Sequence, residues 1–253
     1  IVTYAKKLKN KTLRQVCGAE IEKHDYKGKG NFGQLVEKFY FGYEPNSKAE
    51  ADFVDVGMEL KCTPLKTLKN GNYRSKERLV LNIINYLEVH QEKFETSSFW
   101  KKNAHLLLVF YLHDKEKDLL DYLIKLVEDW EYPNQDLIII KKDWELINQK
   151  IKDGKAHELS EGDTFYLGAC TKGSTAAKSL RKQPFNEIKA KQRAYSLKQG
   201  YVNHIIASIA QEEQETFGKI LTQEPILTHL KSIEEIASIA QEEQETFGKI
   251  LTQ

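Results

Sequence analysis

Two carboxylates and a lysine fall within the segment Ala51-Asp-Phe-Val-Asp-Val-Gly-Met-Glu-Leu-Lys61. Met58, Leu60 and Cys62 alternate with Glu59 and Lys61, a period of two that predicts a strand within 52–64. On a strand, Glu59 and Lys61 project from one face. Asp52 precedes Glu59 by seven residues, so a loop that folds back would let both acids share a cation. Magnesium suits such a pair, because it takes one or two carboxylates and completes its octahedron with water and phosphate oxygens. The corresponding chemistry is metal-assisted hydrolysis of a phosphodiester. Lys61 would orient or deprotonate the attacking water, or hold a phosphate oxygen. Spacing alone also fits an exposed Glu59–Lys61 ion pair worth well under ~1 kcal/mol, and Asp55 competes with Asp52 for the cation.

The elements that must position these groups follow from periodicity and breakers. Phe32, Leu35, Val36, Phe39 and Tyr40 recur at helical spacing, predicting a buried helix over 32–41 ended by Gly42. Lys69-Asn-Gly-Asn72 signals a tight hairpin turn. Strands are expected over 79–86, 104–112, 136–141 and 164–169, the second buried and central because it is almost wholly apolar. Helices are expected over 119–130, 144–152 with Asp143 as its cap and Gly154 as its end, 185–197 and 201–209. The expected fold class is α/β, a mixed central β-sheet flanked by helices.

The chain has 253 residues, 40% of them apolar, enough for one large domain with a real core. We expect that domain over 1–210, with 211–253 as a helical extension. In the extension IASIAQEEQETFGKILTQ occurs at 206–223 and again, letter for letter, at 236–253; no function is assigned to it. Because the chain starts at Ile1, the numbering is expected to begin inside a longer chain, and the end reads as cut as well. Cys17, Cys62 and Cys170 have neither disulfide-framework nor zinc-ligand spacing. No membrane span or signal peptide is read, so a cytoplasmic protein is expected. Net charge is +1, yet 61–78 and 171–198 are each basic with a single acid, Glu77 and Glu187. Such segments suit one face turned to a polyanion, as well as merely solvated loops.

The pattern Asp52-Phe-x-x-x-Gly57-Met-Glu59-Leu-Lys61-x-x-Pro64 resembles the active-site strand of the MutH-type nucleases. These include a mismatch-repair nicking enzyme and type II restriction enzymes that recognise GATC, within the PD-(D/E)xK superfamily. The stretches 65–86, 155–162 and 188–198 resemble the restriction branch, and the likeness covers roughly 30–205. It implies a restriction-endonuclease-like fold, double-stranded DNA as partner and Mg2+ held by Asp52 and Glu59, with Lys61 serving the water. It also implies catalytic roles for Glu37 and for Lys102, although Lys101 leaves that register open. For DNA contact it points to Lys172, which stands in Cys170-Thr-Lys where the nicking branch has Arg-Pro-Lys, and to Tyr195 near the recognised adenine. A buried core tyrosine is an equal reading of Tyr195. Lys178, Arg181, Lys182, Lys189, Lys191 and Arg193 would contact phosphates, which position the duplex without reading it.

The reading is therefore a type II restriction endonuclease domain cutting at GATC. Double-strand cleavage would need dimerisation on DNA or a second domain of similar fold. The alternatives are a mismatch-repair nicking endonuclease and a non-catalytic DNA-binding module of the same fold.

Overall fold

The computed structural model describes residues 1–23, 31–46, 49–173 and 179–221. The chain divides into two units, Ile1–Ile206 and Ala207–Gln253, and every element that positions the candidate site belongs to the first. Its strands are β1 (Met58–Thr67), β2 (Tyr73–Ser75), β3 (Leu79–Ile83), β4 (His105–Leu112) and β5 (Ile124–Glu131). They are followed by β6 (Leu167–Thr171), β7 (Leu180–Gln183), β8 (Asn186–Lys191) and β9 (Arg193–Leu197).

One sheet has the order β2-β1-β4-β5. β1 and β4 run parallel, with Glu59 opposite Leu106 and Lys61 opposite Leu108, while β2 and β5 pair antiparallel at the two sides. The sheet is mixed and carries helices, the α/β class expected. Leu106 to Phe110 are fully buried, and each such aliphatic side chain contributes about 1.5–3 kcal/mol by leaving water. The β1–β2 hairpin closes through Leu68 N–H to the Asn72 carbonyl at 2.7 Å, with Gly71 at φ 83°, where a side chain would be strained.

The helix Asn31–Leu35 packs Phe32 and Leu35 against Met58, Leu60 and Leu107. It then widens into a π-turn over Val36–Tyr40, in which Phe41 N–H reaches the Val36 carbonyl at 3.1 Å. Gly42, at φ 75°, ends it. The short helix Ser98–Asn103 is capped by Ser97, whose hydroxyl accepts from Trp100 N–H at 3.1 Å. A second sheet has the order β3-β9-β6, and β7 and β8 form a separate hairpin.

Three segments depart from the sequence reading. Leu119–Trp130 is not a helix: a short turn at Leu119–Asp121 leads into β5. Leu126 and Val127 pair in regular register with Phe110 and Val109 and are both buried, so both faces of β5 are covered there, and that breaks the alternation by which a half-exposed strand is recognised. The Asp136–Lys141 run is not a strand but the start of the helix Asn134–Lys152. Local β-branched preference there yields to the buried series Ile140, Trp144, Ile147 and Ile151. Asp143 therefore lies inside that helix and does not cap it, whereas Gly154, at φ 69°, does follow its end. Finally, 185–197 is not a helix but β8 and β9, because pairing with β7, β3 and β6 overrides the helix propensity of its Lys, Ala and Glu residues.

The expected helix over 201–209 lies within Gln199–Leu221, which also holds most of the first copy of the repeat. The second copy, like the glycine-lysine cluster at 27–30, lies outside the described residues. Among the described residues no helix is long and apolar enough to cross a membrane.

Candidate active site

A small loop brings Asp52 to Glu59. Phe53 and Met58 pair as an isolated bridge, with Phe53 N–H to the Met58 carbonyl at 2.9 Å. Between them the chain makes a tight turn at Val54–Val56, and Gly57, at φ 60°, reverses its direction into β1. The reversal places Asp52 N–H 3.1 Å from Glu59 Oε2, while Leu60 N–H donates to Asp52 Oδ2 at 3.0 Å. The seven-residue gap in sequence is thus closed by the Phe53–Met58 bridge and by main-chain N–H groups that donate to the two carboxylates. Asp55 is exposed within the turn, and it is Asp52 that the pairing brings beside Glu59.

Glu59 is only 2% exposed, and two lysines balance its charge. Lys61 Nζ donates to Glu59 Oε1 at 2.5 Å, and Lys102 Nζ stands 3.3 Å from Glu59 Oε2. Lys102 also donates to the Glu50 carbonyl at 2.6 Å. The neighbouring Lys101 is exposed, so Lys102 is the lysine that the helix Ser98–Asn103 delivers to the cluster. Glu37, in the π-turn, is buried beside these groups. Burial, then the fields of Asp52 and Glu59, push its carboxyl up to about 7. Burial, then Glu59, also raises Asp52, against the opposing pull of Lys61 and Lys102. Acids held together at such a cost to their ionisation are a common mark of a functional site. An open cleft of about 960 Å³ is lined by Glu37, Asp52, Glu59, Lys61 and Lys102.

The donor set can be tested against a metal. Among the described residues no three His, Cys, Asp or Glu side chains form a closed ligand group. The nearby Cys62 thiol is held protonated, its titration raised by burial. Two carboxylates with a third behind them fit a hard cation that keeps several waters and accepts phosphate oxygens. They do not fit zinc, which favours a closed set of nitrogen and sulfur ligands in structural sites.

The residues assigned to DNA lie elsewhere. Lys172 follows the end of β6 and is exposed. Arg193, opposite Thr171 in the β6–β9 ladder, is half-buried. Arg181, Lys182, Lys189 and Lys191 are exposed on the β7–β8 hairpin, and Lys178 lies outside the described residues. Tyr195 does not reach the surface. It is fully buried, its ring 5.2 Å from that of Phe99, so in this conformation it supports β9 and touches no ligand. Sequence reasoning took Asp143 for a helix cap and missed its role here: its carboxylate accepts the N–H groups of Phe165, Tyr166 and Leu167 at 2.9, 2.6 and 2.8 Å. It clamps the entry to β6; its only signal was an acid on the buried face of a helical pattern. Also missed was the ion pair between Arg78 and Glu161, which spans 83 positions and has no local signature.

Residues 41–143 match the family model of the DNA mismatch repair enzyme MutH. Over 234 residues, 92% of this chain, the sequence is 45% identical to the type II restriction enzyme Sau3AI of Staphylococcus aureus. The chain spans 46% of the length of the Staphylococcus aureus enzyme. Against the DNA mismatch repair protein MutH of Vibrio vulnificus it is 26% identical, over 78% of this chain and 82% of that one. Against the same protein of Shewanella amazonensis it is 28% identical, over 59% and 64%. The MutH model match includes Asp52, Glu59, Lys61 and Lys102, and ends before Lys172 and Arg193.

Proposed function

We propose that residues 1–210 form the endonuclease domain of a type II restriction enzyme that hydrolyses double-stranded DNA at GATC with Mg2+. The observation that carries this reading is the Asp52–Glu59–Lys61–Lys102 cluster, built on the buried Glu59 and opening on the large cleft. Asp52 and Glu59 would hold the cation, which when bound activates a water and stabilises negative charge on phosphate oxygens. Lys61, fixed by Glu59 on the same strand face, orients the attacking water and shares its proton. Lys102, anchored at the Glu50 carbonyl, holds the scissile phosphate. Glu37 tunes the charge of the pair from behind. Lys172, Arg181, Lys191 and Arg193 bind the duplex, together with Lys178.

The 45% identity to Sau3AI, against 26% to the Vibrio vulnificus mismatch repair protein, favours restriction over strand-selective nicking. Retention of both acids and the lysine argues against a module that only binds DNA. One such site cuts one strand, so cleavage of both strands requires dimerisation on DNA or a second domain of similar fold. Residues 211–253 are proposed as an extension outside the nuclease domain. The test compares unmethylated, hemimethylated and fully methylated GATC duplexes with Mg2+. Cleavage of both strands of the unmethylated duplex supports the restriction reading. Nicking of only the unmethylated strand of the hemimethylated duplex would replace it with the repair reading, and binding without turnover by either would leave a DNA-binding module.

A further inference from the structure

A second cleft, of about 680 Å³, opens at the end of β6 and the start of β9 and is lined by Arg78, Glu161, Thr171, Lys172 and Arg193, among others. Its three cations are held in different ways. Arg78 is engaged by Glu161. Lys172 is exposed, and its backbone N–H continues the ladder to the Gln192 carbonyl at 2.8 Å. Arg193 is half-buried, and its Nη1 donates to the Ala169 carbonyl at 2.5 Å. Its Nε is buried without a hydrogen-bond partner among the described residues. A guanidinium so placed is anchored by the main chain, feels the Asp163 carboxylate, and keeps its outward donors on the Nη groups.

We propose that Arg193 is a specificity-determining residue that donates to guanine in the major groove, beside Lys172. This rests on the function proposed above. The planar fork of arginine matches O6 and N7 of guanine in a way the point charge of lysine cannot. A base-reading side chain must also be held on a rigid element to within a fraction of an ångström. Arg193 meets that demand: it sits on a paired strand, next to the rung that leads to Lys172, and Asp143 clamps the chain entering β6. Arg181, Lys182, Lys189 and Lys191 are exposed on the β7–β8 hairpin and suit phosphates, where sequence is not read.

The experiment measures duplex binding and cleavage by the native protein, Arg193→Ala, Arg193→Lys and Arg181→Ala. The substrates are a GATC duplex, the same duplex with 7-deazaguanine in place of the site guanine, and a scrambled duplex. The analogue keeps its base pair and loses only the N7 acceptor. For the native protein and Arg181→Ala it should weaken binding roughly 10–100-fold. Both Arg193 variants should bind the ordinary GATC duplex as weakly as the native protein binds the analogue, and lose nothing more on the analogue itself. Arg193→Lys keeps the charge, and its affinity for the scrambled duplex should match that of the native protein. An equal analogue penalty in the native protein and both Arg193 variants would overturn the proposal, as would a uniform loss on all duplexes with a reduced salt slope. A native protein that cuts GATC but shows either pattern defeats only this assignment, whereas one that does not prefer GATC over the scrambled duplex defeats the functional reading with it.

Discussion

The two clefts are built by opposite means. Around Glu59 the candidate functional groups come from a short span of chain, 52–61, are buried or half-buried and are cross-linked by hydrogen bonds. Only Lys102 and Glu37 arrive from other elements, the first on a helix that leads directly into β4. Around Lys172 and Arg193 the groups meet through strand pairs that join residues far apart in sequence, such as Leu79 with Leu197. Most of the cations there are exposed. Chemistry is thus set by local geometry in a desolvated place, where each electrostatic contact is strong. On the proposed reading, recognition would be set by long-range pairing at a surface, where the exposed charges are individually weak and screened and only the half-buried Arg193 is anchored.

That contrast is sharpest if the catalytic cleft can be disabled without loss of binding. Lys61→Ala and Glu59→Gln should each lower the cleavage rate by roughly 10²–10⁴-fold, while duplex affinity in a titration changes little. A comparable loss of affinity would show that the two regions are not separable. Next in size is the clamp on β6. Asp143→Ala leaves three backbone N–H groups without their acceptor and should destabilise the domain by about 3 kcal/mol, seen as a lower denaturation midpoint. Asp143→Asn, which keeps one acceptor oxygen, should recover part of it.

Smaller still are the hairpin cations. The Arg181→Ala/Lys191→Ala double variant should lower the slope of log affinity against log salt by roughly 0.9 per lost phosphate contact, without changing the preferred sequence. A changed sequence preference would move base readout onto the hairpin. The smallest effect concerns pH. Glu37 has its folded-state ionisation raised to about 7 from an ordinary 4.5, so the folded chain binds the extra proton. Without divalent cations, stability should therefore fall as pH rises from about 4.5 to about 7 and level off above. Glu37→Gln should flatten that slope in thermal melts taken across the window. An unchanged slope would mean that Glu37 is not buried beside Asp52 and Glu59 as described.

The same contrast explains what the sequence reveals. Period-two alternation at Met58, Glu59, Leu60, Lys61 and Cys62 is visible because β1 keeps a buried face, and the all-apolar β4 is equally plain. The choice of Asp52 over Asp55 and of Lys102 over Lys101 is not visible, since it depends on the bridge between Phe53 and Met58 and on which helix face meets Glu59. β8 and β9 read as a helix because Lys, Ala, Glu and Arg favour one locally; only their partners β3, β6 and β7 make them strands. Tyr195 read equally as a base contact and a core residue, and pairing and burial place it in the core.

The central claim is that the Asp52–Glu59–Lys61 cluster cuts DNA at a defined sequence. It is tested most directly by incubating the native protein and Lys61→Ala with unmethylated plasmid, with Mg2+ and with EDTA. Fragments ending at GATC only for the native protein with Mg2+ are expected. Equal fragments from Lys61→Ala, or fragments formed in EDTA, would contradict the assignment of the chemistry to this cluster.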